Sequence, residues 1–173
     1  PKSTCPQASG FYYFTIAAAL GDSESRYKLA DMHWYGYGVV KNPKVVSAII
    51  WELYEELLKS FCKGDFQSTF PEVALRAGYI LREGTDCHRS ADHAFYFFLQ
   101  AQYAIRMRIL TAHYYGDRFI DTLIERAIKE ILPKTSYEKP ANTVHIDSLH
   151  DLLQHGLMKR HHMEMKVKRM TPN

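Results

Sequence analysis

A short pattern that the chain carries twice limits its fold more than any other feature. Leu29-Ala30-Asp31-Met32-His33-Trp34-Tyr35-Gly36 recurs as Ala77-Gly78-Tyr79-Ile80-Leu81-Arg82-Glu83-Gly84, and the two closing glycines are 84 − 36 = 48 residues apart. An amphipathic segment follows each copy, anchored on Ala48 and Trp51 after the first and on Ala94 and Phe97 after the second. A helix, a glycine turn and a second helix at this period are the mark of stacked repeats. One such unit cannot cover its own apolar face, so neighbours must stack on it. Stacks of this kind bind other proteins more often than they carry out chemistry.

The remaining pattern supplies the helices for such a stack. Residues 1–10 read as a turn-rich linker or fraying end. Phe11 to Leu20 reads as a helix closed by Gly21, and Asp22 and Ser23 start another that runs to Tyr35. Gly36-Tyr37-Gly38 forces a turn, because glycine adopts backbone angles that other residues avoid. Asn42-Pro43 opens a helix with Ala48, Trp51 and Tyr54 on one face. Pro71 and Glu72 suit the first turn of a helix that ends near Gly84. A long aromatic helix is expected from Ala91 to Tyr115, then an amphipathic one from Asp117 to Pro133. A last helix is expected to begin near Asp147 or Ser148, with Leu149, Leu152, Leu153 and Leu157 as its stripe. No segment alternates at period two, so no sheet is expected.

These residues resemble the Sel1-like repeat, a relative of the tetratricopeptide repeat. Gly36-Tyr37-Gly38-Val39 matches that family's Gly-x-Gly-Val turn, and Ala48 with Trp51 matches the start of its second helix. Tyr13-Phe14, Ala17-Ala18 and Leu20-Gly21-Asp22 look like the end of a preceding unit. Ala77-Gly78, Gly84, Ala94, Phe97-Phe98 and Ala101 form the second full copy, without the second glycine and the valine. The resemblance spans residues 11–116. It implies an all-α, right-handed α-solenoid of antiparallel helix pairs, with residues 117–173 as capping helices and a basic tail. It also implies a non-catalytic scaffold or adaptor that holds a peptide or protein surface in a concave groove.

Within that frame the first helix of each unit lines the groove, and positions that differ between the copies carry specificity. Lys28 stands against Arg76, Asp31 against Tyr79 and Trp34 against Arg82, with Tyr35 beside them. The candidate groove is therefore Lys28, Asp31, Trp34, Tyr35, Arg76, Tyr79 and Arg82. Aromatic rings and arginines are also the usual anchors of binding surfaces.

Other functions find less support. The chain has 12 Tyr and 9 Phe, but rings at helical spacing are core. Cys87, His88 and His93, even with Cys62, fit no zinc spacing. Phosphate-loop, dinucleotide, zinc-protease and Gly-x-Ser-x-Gly motifs are all missing, so no catalytic residue, metal or cofactor is assigned. Hydrophobic residues at 46% suffice for a core, and a net charge of +3 does not demand a polyanion. Nucleic acid is the lesser alternative, through the basic residues Lys159, Arg160, Lys166, Lys168 and Arg169. A hidden helical enzyme is a further alternative. Phe11 to Leu20 is too short to span a membrane. The odd set Cys5, Cys62 and Cys87, with no Cys-x-x-Cys spacing, reads as reduced thiols of a cytosolic protein. A start at Pro1 instead of Met points to a piece of a longer protein. Oligomeric state is not fixed by the sequence.

Overall fold

The structure, a computed structural model, describes residues 6–112 and 114–136. Among these residues it is all-helical: α1 (Pro6–Ala19), α2 (Ser23–Tyr35), α3 (Pro43–Phe61), α4 (Phe70–Glu83), α5 (Ala91–Thr111) and α6 (Asp117–Ile131). A 3-10 turn, Leu132–Lys134, follows α6 and contains Pro133. The expected helix near Asp147 and the basic tail lie outside the described residues.

The period of 48 holds through both helices of each unit. Gly36 and Gly84 both adopt the left-handed conformation, with φ of 79° and 73°. Each donates its N–H to the residue four back, Met32 and Ile80, which are themselves 48 apart. The loops then close on the same backbone bond, Asn42 N–H to His33 O and Ser90 N–H to Leu81 O. Asn42 and Ser90, again 48 apart, cap the second helices by accepting from Val45 N and His93 N. A side-chain cap satisfies one of the N–H groups that a helix start leaves unpaired.

Burial follows the same register and corrects one sequence expectation. Val46, Ile50, Leu53 and Leu57 are buried in α3, as are Ala94, Phe98, Ala101 and Ile105 at +48 in α5. Ala48, read as the small residue opening the packed face of α3, is exposed. The fixed turn length between the glycine and the cap sets this phase, and it gives Val46 the buried position that Ala94 holds in the second unit. Two helix ends also differ from expectation. α1 takes in residues 6–10, which the sequence reads as a linker or fraying end. α5 stops at Thr111 instead of Tyr115, because Ala112 turns extended (φ −147°, ψ 152°).

Helices of one unit lie along each other, and units stack on an aromatic seam. In the second unit Glu72, early in α4, reaches Arg108, late in α5, while Leu81 at the other end meets Ser90. Between units, Trp51 and Tyr54 of α3 pack on Phe97 of α5 at 5.4 and 4.9 Å between ring centres. Phe61 meets Phe70 and Tyr103 at 4.9 and 5.9 Å. The Tyr54 hydroxyl is not stranded in this seam, for it donates to Gln100 Oε1 at 2.6 Å. On the other layer, Arg76 of α4 bridges to Asp31 of α2, and Arg82 of α4 to Glu130 of α6.

A glycine sets the closest approach. A Cβ on Gly78 would lie 2.3 Å from Cε1 of Phe98. The equivalent positions of the first unit hold Ala30 and Ile50, both fully buried. One unit thus combines a methyl with an aliphatic chain, and the other no methyl with a ring. Gly78→Ala should destabilise the protein by about 1–3 kcal/mol through overpacking. Adding Phe98→Ile should recover most of that loss, as read from urea unfolding.

Burial raises the Tyr54 hydroxyl well above its ordinary value, and burial with the nearby Asp31 charge does the same for Tyr27. Their neutral forms are favoured in the folded state, so this stability is complete below the unfolded value of about 10 and is lost as pH rises beyond it. The urea midpoint should fall steadily above about pH 10. Tyr54→Phe should flatten that slope, and an unchanged slope would contradict the assignment.

Candidate interaction face

The middle and last turns of α2 and α4 build a single cluster. Asp31, Trp34 and Tyr35 stand at i, i+3 and i+4 on α2, so they share a face. Arg76, Tyr79 and Arg82 follow at intervals of three on α4. Stacking α4 beside α2 brings the two rows together. Arg76 Nη2 donates to Asp31 Oδ1 at 2.6 Å, and lies 3.5 Å from the Tyr35 hydroxyl. Its guanidinium carbon sits 4.6 Å from the Trp34 ring centre, 5.2 Å from Tyr35 and 5.9 Å from Tyr79. Arg82 then covers the opposite end of the row, 4.6 Å from the Tyr79 ring. Its Nη atoms bridge to Glu83 at 3.0 Å and Glu130 at 3.4 Å.

Six of the seven residues singled out from the sequence therefore meet in one network. Arg76 is its floor, with a side chain only 6% exposed. Burial opposes the charge of Arg76, but Tyr27, the Asp31 carboxylate and the Tyr35 oxygen outweigh it and hold the proton more firmly than usual. Burial also raises the Tyr79 hydroxyl, against the lowering effect of Arg82 and Arg76. Trp34, Tyr79 and Arg82 are half-buried, while Tyr35 opens to solvent. Lys28 is exposed on α2 and is not among the residues this network joins.

Sequence reasoning missed two parts of the arrangement. Tyr37, between the two turn glycines, stacks on Tyr35 at 5.2 Å with 20° between planes and extends the row outward. Its place in a glycine turn signalled exposure, but not a partner. The second is the clamp around Arg108, which donates to both oxygens of Glu72 (3.0 and 2.6 Å), both of Asp117 (3.1 and 2.8 Å) and the Ser68 carbonyl (2.9 Å). Burial disfavours this charge too, yet the bonds from Glu72 and Asp117 raise the pKa above the ordinary arginine range. Nothing at sequence level links an arginine to acids this far along the chain.

His33 holds the turn. Its Nδ1 lies 3.2 Å from the Val40 carbonyl, which can only accept, so Nδ1 carries the proton. Apart from the face, an open cleft of about 730 Å³ lies at the α5–α6 junction between Tyr114, Tyr115 and Phe119. Its Asp117 is already committed to Arg108. Among the described residues no group of three or more His, Cys, Asp or Glu side chains converges as a metal site would require. No described helix is long and apolar enough to cross a membrane.

These features define a helical-repeat protein, in which a layer of first helices carries a continuous polar and aromatic face. The Sel1 repeat pattern matches three segments of the chain, residues 7–22, 23–51 and 71–101. The first match covers only a short segment that includes most of α1, where Tyr12, Tyr13 and Ile16, with Leu20 just beyond the helix, are exposed. No curated protein and no solved structure is significantly similar to the chain.

Arg76→Met should destabilise the protein by about 1–3 kcal/mol, because Asp31 loses its partner in a half-buried setting. Trp34 should report the same change through its fluorescence, since the cation over its ring is gone. Asp31→Asn should cost less, as Arg76 keeps its ring contacts. Equal costs for the two variants would show that the ion pair alone holds α2 to α4.

Proposed function

We propose that this chain is a non-catalytic scaffold or adaptor that binds a protein or peptide on the face formed by α2, α4 and α6. Sel1 repeats generally mediate protein–protein contacts. The observation that carries the reading is the row of rings and guanidiniums from Tyr37 to Arg82, fixed from below by the buried Arg76. Aromatic and arginine side chains anchor most binding surfaces, and here their mutual contacts hold them before any partner arrives, so less freedom is lost on binding. In a solenoid this layer lines the concave side, where a segment can touch several units at once.

The Trp34→Ala/Arg82→Ala variant tests it. A pull-down with wild type should recover a protein that the variant recovers at least about tenfold less, in line with the loss of two anchors. Circular dichroism should show the same helicity for both. Equal recovery by both would move the binding surface away from this face.

A further inference from the structure

α1 differs from every other described helix in carrying no Asp, Glu, Lys, Arg or His between Pro6 and Ala19. A helix that is apolar all round is normally covered all round. α2 covers one side of it, where the Phe11 and His33 rings meet at 5.7 Å. On the opposite side Tyr12, Ile16 and Leu20 form a row at intervals of four, with Tyr13 beside it. They are 62%, 44%, 84% and 69% exposed, in that order. Leu20 belongs to the row because its N–H still donates to the Ile16 carbonyl, as in a helical turn.

The repeat register shows what such a face meets elsewhere in the molecule. Tyr13-Phe14 and Ala17 stand 97 − 13 = 84 residues before Phe97-Phe98 and Ala101. The same offset sets Tyr13, Ile16 and Leu20 against Phe97, Gln100 and Ala104 of α5, all of them buried. In α5 this face meets another second helix, for Phe97 packs on Trp51 and Tyr54 of α3 and Gln100 accepts from the Tyr54 hydroxyl. Among the described residues α1 has the face without that neighbour.

The chemistry narrows the occupant. A charged peptide would give up water on α1 without gaining an ion pair. Helices that lie on lipid carry Lys or Arg on their polar face, and α1 has neither. In a second copy of the chain, α1 is an element of the same type and equally uncharged, so like meets like without repulsion. In an antiparallel pair with its two-fold axis at Ile16, each Tyr12 lies against Leu20 of the other copy, as a self-complementary interface requires. The four side chains offer roughly 500 Å² per copy, taking a whole aromatic side chain as about 150–250 Å². Two copies together bury about 1,000 Å², the size that a specific interface needs.

We propose that the protein self-associates as a two-fold dimer through the Tyr12, Tyr13, Ile16 and Leu20 face of α1, which shares no residue with the interaction face described above.

Size-exclusion light scattering and sedimentation equilibrium of the 173-residue chain test this. Wild type should be a dimer at about 100 μM chain. Tyr13→Lys/Leu20→Lys sets like charges into the pair at two exposed positions, and should weaken dimerisation at least about tenfold with helicity unchanged by circular dichroism. Should that variant lose helicity, Leu20→Lys alone reads the same interface from a position in the turn after α1. Tyr115→Lys, fully exposed just before α6, should change the dimer less than about threefold. A wild-type monomer at that concentration would overturn the proposal. So would a dimer that keeps its affinity in the α1 variants, or one lost with Tyr115→Lys alone, since association would then run through another surface. A monomer that binds phosphatidylcholine vesicles, and releases them in the α1 variants, would overturn it in favour of a lipid surface.

Discussion

The seam of rings between α3 and the second unit is the contact on which the rest of this structure depends. A lone helix pair leaves one apolar face in water, and at roughly 25 cal/mol per Å² its burial is the main force available to order a second pair beside it. Trp51, Tyr54 and Phe61 supply that face from the first unit, and Phe70, Phe97 and Tyr103 receive it from the second. Edge-to-face and tilted contacts fix the relative orientation more sharply than aliphatic packing would, because the rings prefer particular geometries. Once the units are seated, the positions of α2, α4 and α6 in the other layer follow.

Two buried arginines depend on that seating and occupy opposite kinds of place. Arg108 is locked on both sides by carboxylates and a carbonyl, tying the start of α4, the end of α5 and the start of α6 at one point. Its donors are consumed in holding the chain where it leaves the repeats, and the early end of α5 at Thr111 allows Asp117 to fold back to it. Among the described residues Arg76 pairs with one carboxylate, Asp31, and rests on rings for much of its remaining surface. A clamp built from ions is closed to ligands. A guanidinium framed by rings instead fixes those rings in place while Tyr35 and Tyr37 stay partly open to solvent.

Much of this was legible in the chain, and the reasons are local. The glycines at 36 and 84 announce left-handed turns, Asn42 and Ser90 announce helix starts, and their common separation of 48 residues announces a repeat. Asp31, Trp34, Tyr35, Arg76, Tyr79 and Arg82 could be grouped because helical spacing and the repeat register act within a few turns of each residue. The phase of α3 was not legible in the same way. Ala48 and Val46 are both small enough for a helix seam, and only the length of the turn ahead of them decides which one points inward.

The sequence by itself determined the helices, their turns and the candidate members of the face, since each rests on interactions spanning a handful of residues. Only the tertiary structure decided which charges would be neutralised and which rings left open. Arg108 meets Glu72 and Asp117, and Arg82 meets Glu130, across intervals set by stacking and not by any periodicity in the chain. Electrostatic pairing acts through space, at distances that exist only once the units are seated. The free aromatic surface of Tyr35 and Tyr37 is what remains after those pairings are made.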